Sequence, residues 1–435
     1  MLLNNVLRWK GFPIDQARQK VDELSSLRAE DLLIRQEKGK WEIFRHHQKF
    51  TSWYSEKAKF TPTDWAQIPV LQKKDYQAAL PSLLSAGTTP DKVYIGNTSG
   101  SSGHPFFYAK DKYCHALTWA NIQHLYQLHH ISLNDLQARF YGIPLDRIGY
   151  TKEKIKDKFA NRVRFPVFDL SPPVMEKWVE RFKKKRFGYL YGYTSSLVHF
   201  ARYCNANAIV LKELCPSLKA CIVTSEICTE EDKKILNAAF GVPIINEYGA
   251  SEADIIAFTY PNGDWRVSAG NLLLEVVDDH DIPVKEGEEG RILVTSLHNK
   301  AMPFIRYEIG DLGVLGFNAA GFPILKKLIG RVNDMIQLPS GKESAGLTFY
   351  YISRSILEKS GILREFIIRQ ISIDTFVFEV VTDRDLNWTE ENEIKRQMDI
   401  YLEPGLKLIV IRVPNIERKG SGKIKHFYSE ISPLI

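Results

Sequence analysis

The order of apolar and polar positions divides the chain into segments of different period. From Pro13 to about Phe60, charged and apolar residues alternate at helical spacing, and aromatic residues supply many of the apolar positions. From Val93 onward, short apolar runs such as "KACIVTS" alternate with helical stretches such as "TEEDKKILNAAF". Strands that alternate with helices of this length predict a largely parallel sheet with helices on both faces.

The pattern changes after Asp264. The run "WRVSAGNLLLEVVDDHDIPVKEGEEGRILVTSL" contains apolar strands joined by tight Asp and Gly turns, which predicts an antiparallel β segment. Past Gly330, the strands "EFIIRQI", "FVFEVV" and "KLIVIRV" accompany one helix, a pattern typical of a small α+β domain. We therefore predict an α/β protein with a large N-terminal domain, residues 1–332, and a small C-terminal domain, residues 333–435. Within the first domain, residues 1–90 form a helical lead-in.

Composition narrows the class of protein without identifying it. The chain has 435 residues, of which 44% are hydrophobic, so it can bury a sizeable core. Its five cysteines form no CxxC pair, and their odd number is not typical of a disulfide framework. No run of about 18 apolar residues occurs, and the polar N-terminal stretch does not resemble a signal sequence. We expect a cytoplasmic protein without a membrane span.

Charge adds little to this description. The net charge of +6 arises from 58 basic and 52 acidic residues, which is an ordinary mixed surface. The stretch "RFKKKRFGY", Arg181–Tyr189, interleaves basic and aromatic residues as an RNA-binding surface would, but a solvated helix end is the simpler interpretation. We therefore expect no nucleic-acid partner.

The first candidate for chemistry is a loop rich in hydroxyl groups and glycine, within "GNTSGSSGHP". Gly100 and Gly103 leave backbone amides accessible, so that these amides and the neighbouring hydroxyls can point at one polyanion. The hydroxyls belong to Thr98, Ser99, Ser101 and Ser102. The loop is not a Walker motif, because His104 and Pro105 follow where a Lys-Ser/Thr pair would stand. Taken alone, it is either a phosphate-binding loop or a flexible linker.

Four further segments carry candidate residues, each with a simpler structural interpretation. In "IINEYGASEAD", Tyr248 can lie against a purine and Glu252 can reach a divalent cation, although taken alone a strand end with a solvated acidic turn is the simpler interpretation. In "PFIRYEIGDLG", Asp311 can accept hydrogen bonds from ribose hydroxyls, although lone Gly-Asp pairs are mostly turns. The segments "LIGRVNDMI" and "ERKGSGKIKHF" contribute Arg331 and Lys423, and a lysine in such a loop is usually solvated.

The order of these five segments resembles that of the adenylate-forming superfamily of acyl-CoA ligases. The nearest branch is that of phenylacetate-CoA ligase and the CapK-like adenylating proteins of capsule biosynthesis. The resemblance also includes "AQIPVLQKKDYQ" and "YLYGYTSSLVHFARY", and it extends over the chain from about residue 40. It implies ATP-dependent activation of a carboxylic acid as acyl-AMP, with release of pyrophosphate and acyl transfer to CoA or another nucleophile.

The resemblance also assigns residues to the binding of ATP. The phosphates are assigned to Thr98, Ser99, Gly100, Ser101, Ser102 and Gly103. The adenine and ribose are assigned to Ser225, Glu226, Tyr248, Gly249, Asp311 and Arg331. Glu252 falls where the superfamily places its Mg²⁺ ligand, and Lys423 falls where it keeps the catalytic lysine. Negative charge grows on the transferring phosphoryl group during attack by a carboxylate, so a lysine and Mg²⁺ would act by positioning and electrostatic stabilisation.

Two positions depart from the pattern of the superfamily. His104 replaces a lysine that commonly precedes the proline of the phosphate loop. Asn333 replaces the usual aspartate at the hinge, about which a mobile C-terminal lid domain is expected to rotate between adenylation and acyl transfer. The second half-reaction is therefore the less firmly implied of the two.

The acyl site is the least defined part of the prediction. The resemblance places it near Tyr191, Tyr193 and Phe258, although aromatic residues at such spacing are more often core. The expected partners are a small-molecule carboxylate, ATP, CoA or another acceptor, and a second copy in a homodimer. Two alternatives stay open: transfer of AMP to a hydroxyl acceptor, and a non-catalytic nucleotide-binding relative in polysaccharide or secondary-metabolite biosynthesis.

Overall fold

The computed structural model of the protein describes residues 2–97, 107–142, 147–329, 335–345, 348–349, 352, 363–382, 384–414, 416 and 427–431. These residues form two compact units. The first unit contains the described residues up to 132 and those from 246 to 329. The second unit contains those from 133 to 245 and those from 335 onward. The predicted domain boundary at residue 332 lies outside the described residues and stays a prediction.

The helices and strands follow one another in a mixed α/β order. The helices are α1 (Leu2–Trp9), α2 (Ile14–Ser25), α3 (Ala29–Phe50), α4 (Ser52–Lys57), α5 (Leu80–Leu83), α6 (Lys112–Gln127), α7 (Arg147–Phe159), α8 (Pro172–Lys184), α9 (Thr194–Ala206), α10 (Leu211–Leu214), α11 (Glu230–Phe240) and α12 (Trp388–Tyr401). Among the residues that the structure describes, no helix is long and apolar enough to cross a membrane.

The strands are mostly short, as is usual for such folds. They are β1 (Val93–Asn97), β2 (Phe107–Asp111), β3 (Leu136–Phe140), β4 (Arg162–Phe165), β5 (Phe187–Tyr193), β6 (Ala220–Thr224), β7 (Ile244–Ala250), β8 (Asp254–Thr259), β9 (Trp265–Val267), β10 (Leu272–Val277), β11 (Glu289–Ser296), β12 (Tyr307–Phe317), β13 (Pro323–Ile329), β14 (Met335–Gln337), β15 (Glu343–Ala345), β16 (Leu363–Ser372), β17 (Thr375–Thr382), β18 (Lys407–Arg412) and β19 (Phe427–Ser429).

The first unit is built on an antiparallel sheet. Its strands lie in the order β10, β11, β12, β13, β9, β8, β7, and each neighbouring pair is antiparallel. The antiparallel segment predicted after Asp264 is therefore confirmed. Helices α2, α3 and α4 lie within the predicted helical stretch from Pro13 to about Phe60, where Phe44 and Tyr54 are buried in an aromatic cluster. Phe50, at the end of α3, is exposed, and its ring centroid lies 5.1 Å from that of His46.

The second unit contains the predicted parallel sheet. Its strands lie in the order β6, β5, β3, β4, all parallel, and α8, α9 and α11 cover one face with an apolar core. The C-terminal strands form a smaller sheet in the order β18, β17, β16, β19, against which α12 packs. Phe168 belongs to this smaller core, where its ring centroid lies 5.0 Å from that of Tyr401. The α/β fold class is confirmed.

Candidate active site

The β7–β8 hairpin of the first unit carries four of the predicted residues, Tyr248, Gly249, Glu252 and Phe258. Tyr248 pairs with Ala257 across the hairpin, and Gly249 pairs with Ile255. A Cβ atom on Gly249 would lie 2.4 Å from the carbonyl oxygen of Asp254, so only glycine allows this close pairing. Glu252 lies in the turn that joins the two strands, and its side chain is buried.

Lys110 of β2 fixes the position of that turn. Its Nζ donates to the carbonyl oxygen of Ser251 over 3.0 Å and forms an ion pair with the carboxylate of Asp254. Lys110 is only 2% exposed, so the pair is largely shielded from water on the lysine side. Thr118 of α6 donates to the other carboxylate oxygen of Asp254 over 2.8 Å. Asp254 adopts a left-handed backbone conformation, with φ of +62°, and these contacts on its side chain help to hold it there.

Two tyrosine–carboxylate hydrogen bonds join the hairpin to β12. The hydroxyl of Tyr248 donates to Oδ2 of Asp311 over 2.9 Å, and the hydroxyl of Tyr307 donates to Oε1 of Glu252 over 2.9 Å. The hairpin and β12 therefore each supply one donor and one acceptor. Burial, together with the adjacent carboxylate, raises the pKa of both tyrosines well above its usual value, so both stay protonated donors.

Arg306, which precedes Tyr307 in the same motif, has a structural role. The side chain is fully buried, forms an ion pair of 3.2 Å with Glu275, and donates to the carbonyl oxygens of Ala66 and Ile68 over 2.7 and 2.8 Å. These carbonyls belong to the "AQIPVLQKKDYQ" segment. Arg306 therefore ties that segment to the start of β12, which supports the position of Tyr307.

Several predicted residues lie outside the described part of the chain. They are Thr98, Ser99, Gly100, Ser101, Ser102, Gly103, His104, Arg331, Asn333 and Lys423. On either side of the first group, β1 and β2 pair antiparallel, with Asn97 opposite Phe107. The roles of all these residues stay predictions.

Ser225 and Glu226 lie in the second unit, directly after β6. Ser225 has a positive φ of +70°, and its hydroxyl lies 3.4 Å from that of Tyr141. Oε2 of Glu226 accepts a hydrogen bond of 2.7 Å from the backbone amide of Ser195, in the first turn of α9. A carboxylate at this place satisfies a helix N-terminus. Glu226 therefore has a capping role in addition to the predicted adenine contact, which stays untested.

The three acyl-pocket candidates have different surroundings. Tyr191 and Tyr193 lie at the carboxyl end of β5, where Tyr141 packs against both rings at centroid distances of 5.7 and 4.1 Å. The guanidinium carbon of Arg139 lies 4.2 Å from the ring centroid of Tyr141. Phe258, in the first unit, is fully buried.

Phe258 lies in a packed core. Its ring centroid is 5.9 Å from those of both Tyr126 and His129, and the hydroxyl of Tyr126 donates to Glu247, the residue opposite Phe258 in the hairpin. Directly paired residues of an antiparallel ladder lie on the same face, whereas Tyr248 lies on the other. These contacts account for Phe258 as a packing residue, and its assignment to an acyl pocket stays a prediction.

Sequence reasoning did not single out four residues that organise these sites. Tyr307 is contained in the Arg-Tyr-x-x-Gly-Asp motif, so the motif itself carried a signal for it. Lys110 and Asp254 are 144 residues apart, and no local pattern links them. Arg139 lies in a short strand whose alternation alone does not indicate a contact with Tyr141.

Comparison with known protein families gives a match to individual relatives only. No family model matches the chain. The chain is 33% identical to a phenylacetate-coenzyme A ligase of Thermus thermophilus over 131 residues. This match covers 28% of this chain and 29% of the relative. It is 27% identical to a phenylacetate-coenzyme A ligase of Escherichia coli over 152 residues. This match covers 32% of this chain and 34% of the relative. Each match covers a minor part of the relative.

Solved structures extend the likeness to nearly the whole chain. The structure of 2-hydroxyisobutyryl-CoA ligase in complex with 2-HIB-AMP and CoA, in the thioesterification state, has a TM-score of 0.54 at 16% identity and covers 91% of this chain and 90% of that chain. The same ligase in the postadenylation state with R3-HIB-AMP has a TM-score of 0.53 at 17% identity, and the match covers 90% of this chain and 88% of that chain. The chain therefore has the fold of these acyl-CoA ligases and is similar in sequence, over part of its length, to phenylacetate-CoA ligases, which confirms the resemblance to the adenylate-forming enzymes.

Proposed function

We propose that the protein is an adenylate-forming ligase that activates a carboxylic acid with ATP and transfers the acyl group to CoA. The observation that carries this proposal is the pair of hydrogen bonds from Tyr248 to Asp311 and from Tyr307 to Glu252. They bring together two motif segments to which the resemblance assigns the adenine, the ribose and the metal. The likeness to phenylacetate-CoA ligases supports CoA as the acceptor.

Glu252 suits the Mg²⁺ that accompanies ATP in this chemistry. One carboxylate oxygen is held by Tyr307, and a carboxylate keeps a second oxygen for a hard cation. In the described part of the chain, no group of three or more His, Cys, Asp or Glu side chains could hold a metal ion by itself. Mg²⁺ commonly takes one or two carboxylates and completes its shell with water and substrate phosphates, where it neutralises phosphate charge. The single carboxylate of Glu252 fits that mode of binding.

The residues around the nucleotide act by positioning. Tyr248 and Gly249 form the wall proposed for adenine, and Asp311, with Arg331, is proposed to bind the ribose hydroxyls. Tyr248 holds one oxygen of Asp311, so the orientation of this carboxylate is fixed before the nucleotide binds. Thr98–Gly103 would hold the phosphates through backbone amides and hydroxyls.

The proposed reaction has two steps. In the first, a carboxylate oxygen of the acid attacks the α-phosphorus of ATP, the bond to the bridging oxygen of the β-phosphate breaks, and pyrophosphate leaves. Lys423 would stabilise the negative charge that grows on the α-phosphoryl oxygens. In the second, the thiolate of CoA attacks the acyl carbon, the bond to the AMP oxygen breaks, and AMP leaves. Rotation of a C-terminal lid, residues 333–435, about Asn333 would separate the two steps.

The finer parts of the proposal concern substrate and setting. Tyr191 and Tyr193 would line an acyl pocket for an aromatic or medium-sized apolar acid, since aromatic rings favour such ligands. We also propose a cytoplasmic location, a homodimer, and a role in capsule or other polysaccharide biosynthesis, as in the CapK-like branch.

The test is exchange of labelled pyrophosphate into ATP over a panel of carboxylic acids. Exchange that depends on one class of acid, followed by release of AMP with CoA, is expected. ATP binding without exchange for any acid would contradict the proposal and favour a non-catalytic relative. Mass spectrometry of the product separates acyl transfer from transfer of AMP to a hydroxyl, because the acceptor gains either the acyl group or AMP. Lys423→Ala should abolish exchange but spare thioester formation from added acyl-AMP.

A further inference from the structure

Helix α7 of the second unit is attached through its charged side. Arg164 of β4 donates to Oδ1 of Asp157 over 2.8 Å and to Oε2 of Glu153 over 3.0 Å. Arg162 of the same strand binds Asp157 as well. Asp157 and Arg164 are both buried, so these ion pairs form the contact between helix and strand. Residues 153 and 157 are one turn apart, so both carboxylates lie on one side of α7.

Two apolar residues of α7, Ile155 and Phe159, lie on the opposite side. Residues two apart on an α-helix are separated by about 200° around the axis, so Ile155 lies opposite the side that carries Glu153 and Asp157. Phe159 lies one turn further along the same outward side. Ile155 is 53% exposed and Phe159 is 66% exposed. The helix therefore presents these two apolar residues to solvent.

Lysines flank this outward apolar side. Lys152, Lys154, Lys156 and Lys158 are all exposed. The two carboxylates of the helix are already engaged by the arginines of β4, and only Lys156 shares one of them, through a contact of 2.6 Å with Glu153. The outward side of α7 is therefore apolar in the middle and cationic at its edges.

This arrangement differs from an ordinary solvated helix. Single exposed apolar residues are common on protein surfaces and need no explanation. In α7, however, the apolar residues occupy the outermost positions, where a solvated helix carries charge, while the acidic residues are turned inward. Long lysine side chains beside an apolar stripe can extend to the level of lipid headgroups while the stripe enters the bilayer interface.

We propose that the outward side of α7 docks on a membrane surface that contains anionic lipids. A convex helix with apolar residues along its outermost line matches a planar apolar layer, and the cationic edges match negatively charged headgroups. Docking of this kind is peripheral, and it stands independently of the proposed ligase activity.

The test is sedimentation of the full-length protein with lipid vesicles. Binding to vesicles of phosphatidylcholine mixed with phosphatidylglycerol is expected, with little binding to phosphatidylcholine alone and weaker binding at higher salt. The double variant Ile155→Ser/Phe159→Ser should bind the mixed vesicles at least about tenfold more weakly. The variant Lys152→Gln/Lys154→Gln/Lys158→Gln should lose roughly fivefold per lysine.

A matched control is Trp388→Ser, which removes an exposed aromatic residue at the start of α12 and should leave vesicle binding unchanged. Circular dichroism identifies any variant that does not fold, and the lysine variant, which leaves the ion pairs with β4 in place, then provides the decisive comparison. Absence of binding to the mixed vesicles overturns the proposal. Binding that the apolar double variant retains in full also overturns it, because charge attraction without the apolar side of α7 then explains the binding.

Discussion

Tyr248 donates a hydrogen bond of 2.9 Å to Asp311, which lies 63 residues further along the chain. The tyrosine is buried, whereas the aspartate is half-buried on β12. Tyr248 therefore has a role besides the flat wall for adenine that we propose, because its hydroxyl orients the carboxylate proposed to hold the ribose. The two roles can be separated by removing the hydroxyl alone.

Tyr248→Phe should weaken nucleotide binding while keeping the aromatic ring. A hydrogen bond to a charged group contributes about 1.5–3 kcal/mol, so we expect the free energy of unfolding to fall by about that amount. Looser placement of Asp311 should raise KM for ATP about five- to tenfold, with a smaller change in kcat. Pyrophosphate exchange at varied ATP concentration measures this effect.

Tyr126→Phe is a matched control for that variant. It removes a tyrosine–carboxylate hydrogen bond, 3.1 Å long, to Glu247 on the opposite face of the same strand. We expect a similar loss of stability with KM for ATP unchanged. Equal changes in KM for the two variants would mean that Tyr248 acts only through stability.

Glu252→Gln should abolish most of the adenylation activity at little cost in stability. The amide oxygen can still accept from Tyr307, but the negative charge proposed to bind Mg²⁺ is gone. Losses of about 100-fold or more are typical when a group that stabilises transition-state charge is removed. Titration of the exchange rate with Mg²⁺ should show a weakened dependence on the metal.

Tyr307→Phe provides the comparison for Glu252→Gln. It keeps the charge of Glu252 and releases only its orientation, so activity should fall less than in Glu252→Gln. A larger loss of activity in Tyr307→Phe than in Glu252→Gln would contradict the assignment of Glu252 to the metal. Unchanged exchange in Glu252→Gln would also contradict it.

Lys110→Met should destabilise the β7–β8 turn by about 3 kcal/mol, the low end for a broken buried ion pair. The low end applies because the side chain of Asp254 is 26% exposed and can be reached by water. Asp254→Asn in addition should recover part of the loss, because the unpaired charge is then removed, and asparagine tolerates a positive φ. Urea unfolding of the single and double variants measures the coupling, and strict additivity of their effects would argue against the ion pair.

The protein should lose stability as the pH falls from about 6.5, partly because of His47. Burial lowers the pKa of His47 to about 3 in the folded chain, where the ring bonds Thr51 and the carbonyl of Asn299. In the unfolded chain this histidine has a pKa of about 6.5, so between pH 6.5 and about 3 the unfolded state binds one more proton than the folded state. The free energy of unfolding therefore falls by about 1.4 kcal/mol for each pH unit in that range. The contribution is fully present above pH 6.5 and falls as the pH drops.

His47→Gln isolates this effect. Other histidines, such as the half-buried His115, whose pKa is lowered by burial to about 4, act with the same sign in both proteins. The difference between the two proteins in unfolding free energy should therefore shrink steadily from neutral pH to pH 4. A difference that does not vary with pH would exclude His47 as a source of acid sensitivity.

The sequence predicted those features that repeat locally. Alternating strands and helices gave the parallel sheet of the second unit, and the tight turns after Asp264 gave the antiparallel segment. The order of five motifs gave the resemblance to acyl-CoA ligases. These predictions succeeded because hydrophobic period and turn chemistry act over a few residues.

Contacts between distant residues could not be predicted in this way. The bond from Tyr307 to Glu252 spans 55 residues and the ion pair from Lys110 to Asp254 spans 144, so neither has a local pattern. Glu226 was assigned to adenine, but its contact with the first turn of α9 follows from the meeting of two loops in space. Such contacts arise from the tertiary fold and leave no pattern among neighbouring residues of the sequence.

The attachment of α7 through ion pairs also determines which part of the second unit should open first in acid. Burial alone would raise the pKa of the Asp157 carboxyl, but the hydrogen bond and charge of Arg164, with the charge of Arg162, lower it below its usual value. The Asp157 carboxylate therefore contributes to stability at a pH above the usual pKa of a carboxyl group. This contribution is lost as the pH falls to that pKa and below it. The apolar core beneath α8, α9 and α11 has no such dependence. Local unfolding of α7 ahead of that core is the expected order.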